Sequence, residues 1–394
     1  MLDCTKAFDL CKFSILFNRI LETGVPPIVV RCLMYMYEDQ HGWVRWGQAK
    51  SEIFPITNGT RQGAILSPSF WAVYCDLMIK ELRQLGVGAH VAGMFMGVAC
   101  YADDVVLIAP CHQAMQMMLD TVEDFAARNN ISFSTDPDPK KSKSKCIFVV
   151  GKRRGLSKPS PLTLCGHQLP WVQIAVHLGH ELHESGLMDH DAVVKRAQFI
   201  DKSVEVRNLF EWAAPAEVLQ ALKFYCSAFY GSMLWDLGGA KASQMYSAWD
   251  TAVKLAWSCP RWTRTFLLQQ VLASGMTSAR TDILGRYGKF FKGLRASVCQ
   301  EVRVLFNLVA RDLQSTTAKN INLLKNTAGM DPWMAGPSKL KETLHRNQVV
   351  DIPPQDVWKM KYLRSLLRQL QEAKHIVQKD RVTYLQGLID SLVL

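Results

Sequence analysis

The sequence predicts an α+β fold over residues 1–185 and a mostly α-helical remainder. Three observations carry that prediction. The stretch Val98-Ala99-Cys100-Tyr101-Ala102-Asp103-Asp104-Val105-Val106-Leu107-Ile108 sets two apolar arms around adjacent carboxylates, which reads as two short buried strands with the acidic pair at the turn. Amphipathic helical patterns lie on either side of that hairpin. From about residue 191 onward the apolar spacing is helical almost throughout, with breaks at Pro215, Gly238-Gly239, Pro260, Gly275 and the 331–337 loop.

Taken in order, residues 9–22 repeat Leu10, Phe13, Phe17, Ile20 and Leu21 at helical spacing, and Gly24 with Pro26 supplies a stop. A second helix is expected over 27–37. Residues 43–46 and 52–56 alternate about Gly47 as a hairpin would. Ser67-Pro68 is a suitable cap and first-turn pair for a helix to about Leu85, closed by Gly86. After the acidic hairpin, residues 113–129 carry Met117, Met118, Val122 and Phe125 on one side of a helix. A proline-punctuated basic loop, 136–145, then leads into a strand over 146–150, with further short strands over 162–171 and 174–182. Residues 357–394 read as two amphipathic helices.

Composition narrows the classes open to the chain. With 394 residues and 48% hydrophobic content it can bury more than one core. No apolar run reaches the ~18 residues of a membrane span, and no signal-peptide layout opens the sequence, so an intracellular protein of nucleus or cytoplasm is expected. Eleven scattered cysteines without a Cys-x-x-Cys pair read as reduced, buried thiols. Residues 1–110 hold nine Lys and Arg against ten Asp and Glu, so a net charge of −1 there leaves +12 of the total +11 on the rest. A near-neutral first part followed by a basic remainder suits a polyanionic partner.

Two carboxylates at one hairpin tip repel each other, and a hard divalent cation with oxygen ligands relieves the repulsion. A third carboxylate, Asp3, opens Asp3-Cys4-Thr5-Lys6-Ala7-Phe8-Asp9. Between them lies Asn58-Gly59-Thr60-Arg61-Gln62-Gly63-Ala64-Ile65-Leu66-Ser67-Pro68, a glycine-rich turn entering a helix. This order resembles motifs A, B and C of a reverse transcriptase, with Tyr101-Ala102-Asp103-Asp104 as motif C. The later segments Phe133-Ser134-Thr135-Asp136-Pro137 and Tyr230-Gly231-Ser232-Met233-Leu234-Trp235 resemble non-LTR retrotransposons, the long interspersed elements, in particular.

The resemblance implies a right-hand polymerase palm over 1–185, a helical thumb-like region over 186–300 and a C-terminal helical region over 301–394. It implies RNA-directed DNA polymerisation with an RNA template, a DNA primer or target, deoxynucleoside triphosphates and two magnesium ions, without a small-molecule cofactor or a membrane. Asp3 and Asp103 would hold the metals with Asp104 in support. Phe8 falls at the ribose gate, and Gln62 and Gly63, with Arg61 before them, fall at the motif B turn near the nucleotide and template. Tyr101 opens motif C. The basic loop matches motif D, where a lysine protonates the leaving pyrophosphate. Lys143 fits that pattern, with Lys141 and Lys145 as rivals. Lys223-Phe224-Tyr225, Trp257, Arg261-Trp262-Thr263-Arg264 and Lys289-Phe290-Phe291-Lys292 interleave rings and cations in the region matching the thumb, where Arg261 and Arg264 suit phosphate contact.

His177-Leu178-Gly179-His180-Glu181-Leu182-His183 invites a zinc reading. Read as one strand, however, it holds His177 and His183 far apart on one face with no cysteine near, and His177-Leu178-Gly179 matches motif E, the primer grip. Only Met1 and Leu2 precede Asp3, where the family has a full strand and, before it, fingers. The expectation is therefore a partial palm starting at motif A, fingers missing, with Asp3 at a frayed end and the chain inactive in this form. The alternative is a non-catalytic nucleic-acid-binding remnant of a retroelement.

Overall fold

The computed structural model describes residues 1–138, 140–149, 158–226, 229–257, 259, 263, 278–331, 337–346, 365–366, 368–370, 372 and 379–393. The chain divides into two compact units, Met1–Gly186 and Leu187–Leu394.

The first unit is α+β. Its strands and helices run β1 (Leu2–Asp3), α1 (Ala7–Leu10), α2 (Phe13–Glu22), α3 (Pro27–Tyr37), β2 (His41–Gly42), β3 (Arg45–Trp46), β4 (Ala49–Lys50), β5 (Phe54–Pro55), α4 (Ser67–Gln84), β6 (His90–Val91), β7 (Met94–Phe95), β8 (Val98–Tyr101), β9 (Asp104–Leu107), α5 (His112–Asn129), β10 (Cys146–Ile147), β11 (Leu162–Leu164), β12 (His167–Leu169), β13 (Trp171–Val172), β14 (Ile174–His177) and β15 (His180–His183). The central sheet is antiparallel in the order β1, β9, β8, with Leu2 opposite Val105, Asp3 opposite Asp104, and Tyr101 opposite Asp104 across the hairpin. Helices α4 and α5 pack together, and α2 packs on α4. Between them lies a core holding Leu16, Tyr74, Met78, Leu82, Met118 and Phe125.

Several expected elements are altered by tertiary hydrogen bonds. The helix expected over 9–22 breaks at Cys11 and Lys12, because Gly59 N donates to Cys11 O (2.8 Å) and Thr60 N to Phe8 O (2.7 Å), so the motif B turn takes carbonyls a continuous helix would use. Ser67 is not a cap. It is the first helical residue of α4, and its Oγ donates to Arg61 O at 2.6 Å. The two arms of the acidic hairpin are not both buried: β9, central in the sheet, buries Val105 and Leu107, whereas the edge strand β8 leaves Ala99, Cys100 and Tyr101 exposed. Segment 174–183 is a hairpin rather than one strand. Leu178 and Gly179 both have positive φ (48° and 75°), as a two-residue turn matching strand twist requires, so His177 faces His180 and His183 faces Ile174. The cysteines are all free, but Cys32, Cys100, Cys111, Cys165 and Cys299 are exposed.

The second unit is helical where described: α6 (Asp189–Leu209), α7 (Pro215–Ala221) running into a π-helical turn (Leu222–Cys226), a short 3₁₀ turn (Ser232–Leu234), α8 (Ala240–Ala256), α9 (Ala279–Arg295), α10 (Gln300–Arg311), α11 (Thr316–Ala328), α12 (Pro337–Arg346) and α13 (Lys379–Val393). Ser278 and Ser315 cap α9 and α11 by accepting from Thr281 N and Ala318 N. One core runs from Ala192 to Ile389. Buried Asn320 ties α11 to the Trp235-Asp236-Leu237 turn, donating to Trp235 O (2.7 Å) and accepting from Leu237 N (2.9 Å). Among the described residues, no helix is long and apolar enough to cross a membrane.

Candidate active site

Asp3 is held on both edges of its strand. On one side β1 pairs with β9. On the other, Ser134 N donates to Asp3 O (2.8 Å), Asp3 N donates to Ser144 Oγ (3.2 Å), and Met1 and Lys145 exchange two backbone hydrogen bonds of 2.9 Å. Leu2 and Cys4 are buried at 3% and 7% exposure. The expected fraying is absent because residues 132–134 and 144–145 close the free edge of β1. The basic loop explains itself in the same contacts. Along Lys141-Ser142-Lys143-Ser144-Lys145, the serines are buried and Lys141 and Lys143 exposed, with Lys145 half-buried, so period 2 turns both hydroxyls inward, Ser144 onto Asp3 N and Ser142 onto Ser134 O and Ser144 O, and leaves Lys141 and Lys143 outward.

The register puts Asp3 directly across from Asp104, and Asp103 occupies the turn beside it. Burial, with help from Asp103 and Asp3, raises the Asp104 carboxyl above its ordinary range, against the pull of His177. Burial lowers the His177 imidazole, opposed by Asp104. Cys4, behind the same carboxylates, is pushed up to about 12 by burial and by Asp103, Cys100, Asp3 and Asp104, so it stays a neutral thiol. Three carboxylates supply an all-oxygen donor set that suits a hard divalent cation in chemistry. Among the described residues, though, no three His, Cys, Asp or Glu side chains are gathered at a single coordinating point, around the carboxylates or around His177, His180 and His183.

The motif B turn packs on motif A. Gly59 has φ +92°, and a Cβ there would lie 3.0 Å from Asp9 O and 3.1 Å from Phe8 O, so only glycine allows this approach. Gly63 also has positive φ (81°), but open space surrounds it. Gln62 Nε2 reaches Asp9 Oδ1 at 3.4 Å. The sequence signal for the approach at Gly59 is the Asn58-Gly59 turn dipeptide. Phe8 is half-buried, its ring 5.8 Å from that of Trp71. Arg61 and Tyr101 are exposed. Trp71 is a residue that motif reading missed. Its position in the Ser67, Phe70, Trp71, Tyr74, Cys75, Met78 stripe marks it as core, but its indole also donates to Ala102 O at 2.7 Å.

Arg261 and Arg264 lie outside the described residues. Of the other interleaved rings, Trp257 and Phe291 are core, while Phe224 and Tyr225 are exposed on the π-helical turn, with Lys202 Nζ 5.1 Å over the Tyr225 ring.

Residues 1–169 match the family described as Reverse transcriptase (RNA-dependent DNA polymerase). Over these residues the chain is similar to reverse transcriptase domains. It is 29% identical over 150 residues to the Retrovirus-related Pol polyprotein from type-2 retrotransposable element R2DM of Drosophila melanogaster, covering 38% of this chain and 13% of that protein. Similar matches are the Pol polyproteins from type-1 retrotransposable element R2 of Nasonia vitripennis (22% over 185 residues, 45% and 18% coverage) and Bradysia coprophila (29% over 175 residues, 42% and 20%). These relatives are retrotransposon polyproteins, and the matched stretch spans no more than a fifth of their length.

Proposed function

We propose that the first unit is the palm of an RNA-directed DNA polymerase that extends a DNA primer on an RNA template. The observation that carries this is the direct pairing of Asp3 with Asp104 next to Asp103, on strands that converge from distant parts of the chain. Asp3 and Asp103 would hold two magnesium ions and Asp104 would support them; magnesium so bound activates a primer hydroxyl and steadies the departing pyrophosphate. Phe8 stands where a ribose 2′-hydroxyl would be refused, and Gln62 and Gly63 line the template and nucleotide side. Lys143, with Lys141 and Lys145 beside it, offers the proton for pyrophosphate. The region 186–300, with Phe224 and Tyr225 beside Lys202 and Lys223 and with Arg261 and Arg264, would grip the duplex as a thumb.

Primer extension on an RNA template by the purified chain tests this. The rate should require magnesium and fall at least about a hundredfold in Asp103→Ala. Extension that is unchanged in Asp103→Ala refutes the assignment. The net charge of +12 after residue 110 supports a second reading, a nucleic-acid binder without the chemistry. It requires that the wild-type chain bind RNA but extend nothing, with Asp103→Ala/Asp104→Ala leaving affinity equal or slightly higher because negative charge is removed.

A further inference from the structure

The tip of the acidic hairpin is a two-residue turn, Ala102-Asp103, and Ala102 has φ +53°. A side chain is disfavoured in that left-handed region, and no glycine is present to accept it freely. What sits against this strained peptide is a single polar group from α4: Trp71 Nε1 donates to Ala102 O at 2.7 Å. The indole has little freedom of its own. It is 2% exposed and lies nearly parallel to the Tyr74 ring (16°, centroids 5.8 Å), and Tyr74 is in turn pinned by its hydroxyl to Asn129 O at 2.6 Å. The Phe8 ring also lies near the indole, its centroid 5.8 Å away and tilted by 45°.

We propose that Trp71 is a positioning residue whose indole N–H clamps the Ala102 carbonyl, keeping the turn in its left-handed form and so fixing where Asp103 and Asp104 stand. The clamp joins the helix that follows the motif B turn to the motif C carboxylates, and the same indole lies 5.8 Å from the ring of Phe8, the proposed gate. Its consequence for catalysis rests on the polymerase reading; its existence does not.

Hydrogen exchange of the whole chain, read by mass spectrometry, separates the two. In Trp71→Phe, which keeps a ring and loses the N–H, peptides covering 98–107 should exchange at least about fivefold faster, while peptides of α4 and α5 stay within twofold of wild type. Ala102→Gly added to that variant should return the hairpin toward wild-type protection, because glycine adopts the left-handed turn without the clamp. Unchanged exchange at 98–107 overturns the proposal. So does a uniform rise across α4, α5 and the hairpin without rescue by Ala102→Gly, which marks Trp71 as core packing alone. Should Trp71→Phe fail to fold, replacement by β-(3-benzothienyl)alanine, with sulfur in place of the N–H and the same shape, decides the matter by the same peptides. Where the wild-type chain extends primers, Trp71→Phe should lower kcat about tenfold with the KM for nucleotide within twofold. A chain that extends nothing yet shows the hairpin-specific exchange refutes the polymerase reading and leaves the clamp standing.

Discussion

Asp104 carries an electrostatic signature among the carboxylates of the first unit. Its folded carboxyl holds a proton more tightly than an unfolded one, because burial and the charges of Asp103 and Asp3 oppose ionisation. The folded state therefore loses stability as pH rises through that raised value, and acid restores it. Asp104→Asn should raise Tm at neutral pH in the absence of divalent ions by about 1–3 °C, a small gain because solvent screens the site. Adding magnesium should stabilise the wild-type chain more than the variant and narrow the gap, which differential scanning calorimetry would show. The motif residues Asp3, Asp103 and Asp104 were legible in the sequence because chemistry confines them to a few residue types in a fixed order. Trp71 was not, since an indole in an apolar stripe looks the same whether its N–H is used or idle.

Elements follow local pattern until a long-range hydrogen bond competes. Helix α3 spans Pro27–Tyr37 as its periodicity indicates, whereas the 9–22 helix is cut where Gly59 and Thr60 take the carbonyls of Cys11 and Phe8. No window of that helix contains the competing donors. The two turn glycines should separate on substitution. Gly59→Ala meets both the left-handed penalty and backbone atoms at 3.0–3.1 Å, and should cost about 2–4 kcal/mol; Gly63→Ala meets only the penalty, about 1 kcal/mol. Urea unfolding at constant m would measure both. In the second unit, burial within α8 raises the Asp250 carboxyl to about 6, with Lys254 opposing. The folded state there binds the extra proton, so stability falls as pH rises from about 4 to about 6 and stays lower above. Asp250→Asn should gain up to roughly 3 kcal/mol at pH 7, a difference that vanishes below pH 4.

At the scale of the whole molecule, charge follows the division of labour read from the sequence: residues 1–110 are near neutral and the rest carries +12. Affinity for RNA should fall steeply with salt, and Lys141→Ala/Lys143→Ala/Lys145→Ala should reduce the slope of log affinity against log salt by about 2 while leaving Tm nearly unchanged, as fluorescence anisotropy would record. The α+β character of the first unit and the helical character of the second were legible from periodicity. The second closed edge of β1 was not, because it comes from residues 132–134 and 144–145, more than a hundred positions away. That edge is what holds Asp3 in register with Asp104, and with it the proposed metal site. Manganese binding, followed by electron paramagnetic resonance with an RNA–DNA hybrid and an unreactive nucleotide analogue present, tests that site. About two ions should bind the wild-type chain, and Asp3→Asn or Asp103→Asn should each weaken binding at least about tenfold; binding that is the same in both variants as in wild type would contradict the assignment of these carboxylates.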